Sequence, residues 1–209
     1  MDYLNYDRTF KYLNDLNQIK VIDNFLPKEE YDKVYRTFMG YEMIWNYQDV
    51  VDYELGDNFM FCHLFWTTNS GLVSPLSDII KPFYTKLQTQ IIIRIKANLT
   101  TKTQTHLESN FHFDNEFVGS RLPDGTLTSY TAIYYVNTNN GYTLFKDGNL
   151  KVDSVGNRIV VFDSSKLHKA VSCTDEKRRV VINFNYFTSL YGSTDQAELS
   201  KKRFKEANA

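Results

Sequence analysis

Residues 178–187 read RRVVINFNYF, a run of β-branched and aromatic residues that is typical of a strand. Because successive side chains of a strand point to opposite faces, one face is apolar from Val180 to Tyr186, and the other carries Arg179 and Asn183. The apolar face is expected to pack beneath helices. Polar groups within a buried strand must be satisfied, so the second face is expected to border a wet, ligand-holding cavity.

The paired arginines of this strand have different expected environments. Arg179 points to the cavity side, where a buried cation requires an anion. A carboxylate ligand would supply one through a bidentate pair. Arg178 lies at the end of the apolar face and can extend its charged group to solvent. Strand alternation therefore favours Arg179 as the ligand-binding arginine.

Further strands and two amphipathic helices indicate the fold class. Strand-like runs cover residues 91–99, 128–137, 142–146 and 158–163, and turns rich in Gly, Asn and Asp separate the later ones. A short strand at residues 20–26 precedes a helix that begins after Pro27, and a second helix is predicted over residues 74–87. The pattern predicts a mainly β (α+β) fold, a sandwich or barrel with N-terminal helices packed on one side.

Composition narrows the class of protein. The chain has 209 residues, with 24 Lys and Arg against 25 Asp and Glu, and 42% of its residues are apolar. This length and composition predict a single domain over 1–209, with a charged helix at 193–209. The balanced charge argues against a nucleic-acid partner. Two cysteines without paired spacing, and no long apolar run or leader, lead us to expect a cytoplasmic protein without membrane contact.

Two histidines and an aspartate could form a metal site. Residues 110–115 read NFHFDN, so His112 and Asp114 would lie on one face of an extended segment. His168 follows the strand-like run at 158–163. Two imidazoles and one carboxylate are the facial triad of non-haem Fe(II) oxygenases, which leaves other coordination positions open. The alternative is that both histidines are half-buried strand residues with ordinary hydrogen-bond partners.

The order of these residues resembles a known family. His112-x-Asp114, then His168, then Arg179 at the start of the last strand is similar to the Fe(II)/2-oxoglutarate-dependent dioxygenases, and most similar to their small prolyl-4-hydroxylase-like branch. The Tyr-rich run at 131–137 and the turn that follows it also resemble that branch. The likeness covers about residues 91–187 and implies a double-stranded β-helix, or jelly roll, with residues 1–90 forming N-terminal helices and strands.

The resemblance assigns roles to individual residues. It implies three iron ligands: His112, Asp114 and His168. It makes Arg179 the clamp for the distal carboxylate of 2-oxoglutarate, and it matches Tyr135 to a strand tyrosine that assists this clamp. Thr143 and Asn183 point the same way by strand alternation and are further candidates for binding the cosubstrate.

Two features depart from the family pattern. The turn contains Asn140-Gly141 where paired glycines are common, and the spacing between His168 and Arg179 is slightly longer than usual. The longer spacing leaves open whether Arg178 or Arg179 holds 2-oxoglutarate.

The implied activity is hydroxylation coupled to conversion of 2-oxoglutarate and O₂ to succinate and CO₂, with Fe(II) as cofactor and ascorbate as a supporting reductant. The favoured substrate is a prolyl residue of a peptide or protein. A free amino acid or other small molecule, hydroxylated on the same scaffold, is an alternative substrate. A non-catalytic, cupin-like binding module is an alternative function for the whole chain.

Overall fold

The computed structural model describes residues 19–49, 59–114 and 127–189, and these residues form a mainly antiparallel β structure. The strands are β1 (Lys20–Ile22), β2 (Asn46–Gln48), β3 (Met60–Thr67), β4 (Gly71–Leu72), β5 (Ile91–Thr101), β6 (Leu127–Tyr135), β7 (Tyr142–Phe145), β8 (Lys151–Asp153), β9 (Arg158–Asp163), β10 (His168–Val171) and β11 (Arg178–Ser189). The helices are α1 (Lys28–Met39) and α2 (Lys81–Leu87). The helix expected at 193–209 lies outside the described residues.

Two sheets organise the strands. The larger sheet has the order β1-β9-β6-β11-β5-β3-β2, with β4 paired to β3, and the smaller sheet has the order β10-β7-β8. Strand β11 lies in the middle of the larger sheet, where it pairs with β6 on one side and β5 on the other. Except for β2, β3 and β4, neighbours in the order of the larger sheet are not consecutive in the sequence, as in a jelly roll. The side chains of β11 are therefore flanked on both sides by other strands.

The two faces of the larger sheet are buried against different partners. On one face, Val180, Ile182 and Phe184 of β11 share a core with residues of both helices, such as Phe38 and Phe83. On the other face, a second apolar cluster joins residues of the larger sheet to residues of β7 and β8 in the smaller sheet; it comprises Ile133, Tyr135, Phe145, Val152, Val160, Phe162 and Val181. The predicted jelly roll, with helices packed on one sheet, is confirmed.

The second helix is shorter than the run at 74–87 predicted. The α-helix begins at Lys81, after a 3₁₀ turn over Ser77–Ile80, and Pro82 lies in its first turn. Proline has no backbone N–H, and its ring clashes with the carbonyl four residues earlier. Pro82 is therefore accommodated in the first turn of an α-helix but not in its interior, so the α-helix cannot begin as early as residue 74. Gln88 ends the helix in the left-handed conformation (φ 50°).

Neither α1 nor α2, nor any other helix in the described ranges, has the length and apolar character needed to cross a membrane.

Candidate metal centre

The two histidines of the predicted triad lie directly opposite each other. His112 pairs with His168, the first residue of β10, in an antiparallel bridge. The His112 amide donates to the His168 carbonyl at 2.9 Å, and the His168 amide donates back at 3.2 Å. The two imidazole rings have centroids 4.9 Å apart. The backbone pairing therefore brings together two rings that are far apart in the sequence.

The outer nitrogens of both rings are held by backbone carbonyls. Nδ1 of His112 lies 2.9 Å from the Asn110 carbonyl oxygen, and Nδ1 of His168 lies 3.1 Å from that of Lys166. A carbonyl oxygen can only accept, so each Nδ1 carries the proton of the hydrogen bond. In a neutral ring Nε2 is then the unprotonated nitrogen, which can act as an acceptor or as a metal ligand. Metal-binding histidines are commonly oriented in this way.

Asp114 completes the cluster. Its carboxylate oxygens lie 3.7 Å from Nε2 of His112 and 3.5 Å from Nε2 of His168. The Asp114 side chain is 5% exposed, and within the described part of the chain its Oδ2 atom has no hydrogen-bond partner. Burial acts to raise the pKa of Asp114, but when the rings of His168 and His112 are protonated they outweigh burial and hold that pKa well below its usual value.

The donor set of this cluster suits a metal ion. One nitrogen or oxygen from each of His112, Asp114 and His168 can be chosen so that all three atoms lie within 4.8 Å of one another. With neutral rings, all three atoms are acceptors, so a cation is the partner that would satisfy them together. Two imidazoles and one carboxylate form the facial set that suits iron(II) and leaves positions open for other ligands.

Arg179 is buried on the cavity side of β11, as strand alternation predicts. It is 4% exposed, and its Nε donates to Ser154 Oγ at 2.9 Å. No carboxylate of the described residues lies within ion-pair distance of its guanidinium, and burial lowers the pKa of Arg179. Arg178 lies on the opposite face, where its guanidinium donates to the carbonyl of Met39 in α1. Of the two arginines, Arg179 is therefore the one placed to meet an anion in the cavity.

Thr143 connects Arg179 to Tyr135. The Tyr135 hydroxyl donates to Thr143 Oγ1 at 2.8 Å, and an Nη2 hydrogen of Arg179 points to the same oxygen at 3.3 Å. A hydroxyl oxygen has two lone pairs, so both are occupied and the Thr143 hydrogen remains available for an acceptor. Burial raises the pKa of Tyr135 to about 12 despite the nearby Arg179 charge, so the phenol keeps its proton as a donor.

A cavity of about 350 Å³ joins these groups. Of the residues predicted from the sequence, the following line it: His112, Asp114, Thr143, His168, Arg179 and Asn183. Asn183 Nδ2 is 3.4 Å from Asp114 Oδ1. Tyr135 is fully buried beside the cavity, and its hydroxyl donates a hydrogen bond to Thr143, which lines the cavity.

Strand β5 adds cavity residues that the sequence argument missed. Its sequence IIIRIKANLTT alternates, so that Ile95, Ala97 and Leu99 enter the helix-side core while every second residue faces the cavity. The cavity-facing residues are Arg94, Lys96, Asn98 and Thr100. The same alternation that identified Arg179 on β11 could have identified this polar stripe.

Gly141 allows the chain to pass close to Arg179. A Cβ atom at this position would lie 2.8 Å from Arg179 Cδ and 2.8 Å from the Val171 carbonyl oxygen. Such contacts are closer than van der Waals packing allows, so residue 141 must lack a side chain for Arg179 to keep its position.

Comparison with known proteins identifies the architecture through structure alone. No protein-family model matches the sequence, and no curated protein matches it. Among solved structures, an oxidoreductase of the 2OG-Fe(II) oxygenase family from Burkholderia pseudomallei has a TM-score of 0.58 at 11% identity, over 92% of each chain. A prolyl hydroxylase from Trichoplax adhaerens, solved with a peptide fragment of the hypoxia inducible factor oxygen degradation domain, has a TM-score of 0.56 at 14% identity, over 87% of this chain and 90% of that one.

A third similar structure has a different activity. The non-haem α-ketoglutarate-dependent epimerase SnoN from nogalamycin biosynthesis has a TM-score of 0.57 at 12% identity, over 90% of this chain and 84% of that one. The fold therefore occurs with more than one reaction and substrate class. The chain described here has the jelly-roll fold of the 2-oxoglutarate- and Fe(II)-dependent oxygenases.

Proposed function

We propose that this protein is an Fe(II)- and 2-oxoglutarate-dependent oxygenase that hydroxylates its substrate. The observation that carries the proposal is the convergence of His112 Nε2, His168 Nε2 and the Asp114 carboxylate, with both Nδ1 atoms tied to backbone carbonyls. Bound iron would supply the O₂ chemistry that couples conversion of 2-oxoglutarate to succinate and CO₂ with hydroxylation. The three side chains would hold that iron and leave its remaining positions to the cosubstrate and O₂.

The anion site at Arg179 supports the assignment of the cosubstrate. Arg179 contributes a buried positive charge, and Thr143 contributes an available hydroxyl hydrogen beside it. Together they would bind the distal carboxylate of 2-oxoglutarate through charge-assisted hydrogen bonds. Tyr135 would orient the Thr143 hydroxyl, and Asn183 would orient the Asp114 carboxylate. The Arg179 side chain is held ready for the anion by Ser154.

The substrate class we favour is a prolyl residue of a peptide or protein. Its support is the likeness of fold to a prolyl hydroxylase solved with a peptide, together with the order of the site residues in the sequence. A small molecule or free amino acid is the second candidate. The two positive charges that β5 adds to the cavity favour this second class, because they would bind an acidic group of the substrate itself.

An assay for succinate tests the proposed reaction. The purified chain is incubated with Fe(II), 2-oxoglutarate, ascorbate and O₂, and succinate is measured with and without proline-containing peptides. We expect succinate from the wild type, and one added oxygen atom by mass spectrometry on any peptide that is a substrate. Asp114→Ala should reduce succinate formation to background. The exposed Asp147 provides the matched control, since Asp147→Ala should leave it unchanged. Equal turnover by Asp114→Ala and the wild type would contradict the proposal.

A further inference from the structure

Strand β5 carries two cations on the cavity face, and the cosubstrate assignment above uses neither. Arg94 and Lys96 are two residues apart, so their side chains leave the strand on the same side, and both line the cavity. In the register of the sheet, Lys96 is opposite Asn183 and Arg94 is opposite Asn185 on β11. Arg179 is opposite Thr100, about 13 Å further along the strand at 3.3 Å per residue. The cavity therefore has positive charge at two separate levels.

Lys96 is the less constrained of the two cations. Arg94 donates to the backbone carbonyl of Asp114 and, at 3.3 Å, to Asn185 Oδ1, so its guanidinium already supports the segment that carries the candidate metal ligand. The Lys96 ammonium makes no hydrogen bond or ion pair with any residue that the structure describes. Burial and the neighbouring Arg94 charge lower the pKa of Lys96 more than the Asp114 carboxylate raises it, so an additional anion that approaches the lysine would stabilise its charge.

The charge balance of the loaded site leaves an excess of positive charge. The formal charges of a divalent metal, dianionic 2-oxoglutarate, Asp114 and Arg179 would sum to zero. The positive charges of Arg94 and Lys96 would then remain in the cavity, which no other carboxylate of the described residues lines. A buried or half-buried cation is costly unless an anion accompanies it. The remaining component of the reaction is the substrate.

We propose that Lys96, with Arg94 beside it, binds a carboxylate group of the substrate, and thus that the substrate is acidic near the carbon that reacts. This inference rests on the proposed function and deepens it by naming the substrate class. Asp114 lies at the same level of the cavity, with Arg94 Nη2 4.0 Å from its Oδ1 atom, so a carboxylate held there would place its molecule beside the candidate metal centre. The cavity of about 350 Å³ also has to hold the cosubstrate, which favours a compact acid or an acidic side chain.

Binding of matched acids and amides tests the proposal. The full chain is loaded with Mn(II), which replaces the redox-active metal, and with 2-oxoglutarate. Calorimetry then compares free L-amino acids with their carboxamides, and tripeptides containing Asp or Glu with those containing Asn or Gln. We expect at least one acid to bind about tenfold or more tightly than its amide, and we expect Lys96→Gln to remove this preference. The first set would identify a free acid as the source of the carboxylate, and the second set an acidic side chain.

Two controls separate this inference from the proposed function. Lys102→Gln removes the same charge from an exposed residue just beyond β5, and it should keep the preference for acids. Lys96→Gln should bind 2-oxoglutarate within about twofold of the wild type. If Lys96→Gln weakens 2-oxoglutarate binding as much as Arg179→Gln does, or if no acid is preferred over its amide, the inference is wrong. If the wild type binds no 2-oxoglutarate with Mn(II), the proposed function itself is contradicted, and the inference fails with it.

Discussion

At the scale of single residues, the neighbouring Arg178 and Arg179 provide a matched pair of variants. Arg179→Gln removes the cavity cation, whereas Arg178→Gln removes one that contacts α1. Hydrogen bonds to charged groups are worth about 1.5–3 kcal/mol, so Arg179→Gln should raise the Kd of 2-oxoglutarate by roughly 10- to 100-fold. Calorimetry with Mn(II) measures this change. Arg178→Gln should leave the Kd within about twofold; a larger effect from Arg178→Gln would reverse the assignment.

Removal of the buried charge should also affect the stability of the protein without ligand. Arg179 has no carboxylate partner among the described residues, and burying such a cation is unfavourable. We therefore expect Arg179→Met, which keeps most of the side-chain volume, to unfold in urea at the same concentration as the wild type or a higher one. Added 2-oxoglutarate and Mn(II) should stabilise the wild type more than this variant. A strong loss of stability in the variant without ligand would show that Arg179 mainly supports the fold.

Single residues also show how far the sequence could predict the site. Strand alternation was sufficient to place Arg179 and Asn183 on the cavity face. Side chains alternate between the two faces of a strand, so the face of each residue can be read from its position in that strand alone. The pairing of His112 with His168 depends on the register of two distant segments, which no local pattern encodes. The role of Thr143 as a link between Tyr135 and Arg179 likewise appears only when three strands are brought together.

At the scale of the elements, the turn into β7 controls the position of Arg179. Gly141→Ala would introduce a Cβ atom 2.8 Å from Arg179 Cδ, so the arginine or the turn must move. Overpacking of this kind costs about 1–3 kcal/mol. We expect a lower urea midpoint and a several-fold higher Kd for 2-oxoglutarate. Gly148 is the control: its added Cβ would meet no atom within 4 Å, but its φ of 70° makes alanine unfavourable. Gly148→Ala should therefore lose stability without losing affinity.

The edge strand β1 is fastened by an ion pair whose effect depends on pH. Arg158 donates to both carboxylate oxygens of Asp23, at 2.6 and 3.0 Å, and this hydrogen bonding lowers the pKa of Asp23 against the opposing effect of burial. A carboxyl group whose pKa is lowered on folding stabilises the protein above its unfolded pKa of about 3.9, and this contribution is lost as the pH falls through the folded pKa.

The Asp23 side chain is 54% exposed, so solvent screens the pair, and Asp23→Asn should lower the free energy of unfolding at pH 7 by no more than about 1 kcal/mol. The difference from the wild type should shrink as the pH falls below about 3.9 and disappear below the folded pKa of Asp23, where the carboxyl group is protonated in both states. Urea unfolding of both proteins at pH 7 and at a descending series of acidic pH values measures it. A difference that stays constant with pH would assign the effect to packing of β1 instead of charge.

Element boundaries show a second limit of sequence reasoning. Long strands such as β6, β9 and β11 were predictable because several β-branched or aromatic residues follow one another. The strands β2, β8 and β10 have three or four residues and were not predicted. Their extended conformation depends on pairing with neighbouring strands more than on their own residue types. His168 begins one of these short strands, which is why the sequence could place it only near a strand.

At the scale of the whole molecule, a bound metal would join two segments that only a few hydrogen bonds now connect. His112 and Asp114 belong to the irregular segment after β5, and His168 belongs to the smaller sheet. A ligand that binds only the folded state adds about 2.7 kcal/mol of stability at 100 times its Kd. For a chain of this size, each kcal/mol raises Tm by about 2–4 °C. We therefore expect Mn(II) or Fe(II) to raise the Tm by about 5–10 °C, and a chelator to reverse the rise.

Hydrogen exchange can show where this stabilisation acts. Metal binding should slow amide exchange most at residues 107–112 and in β10, whose backbones are paired across the site, because opening either segment would then require release of the metal. The amides of β1, at the edge of the larger sheet, and of α1, in the core on its other face, should change only as much as the global stability does. Asp114→Ala should abolish both the Tm shift and the local protection. Protection spread evenly over the chain, or retained in Asp114→Ala, would mean that the metal binds elsewhere, and that the three side chains do not act together as its site.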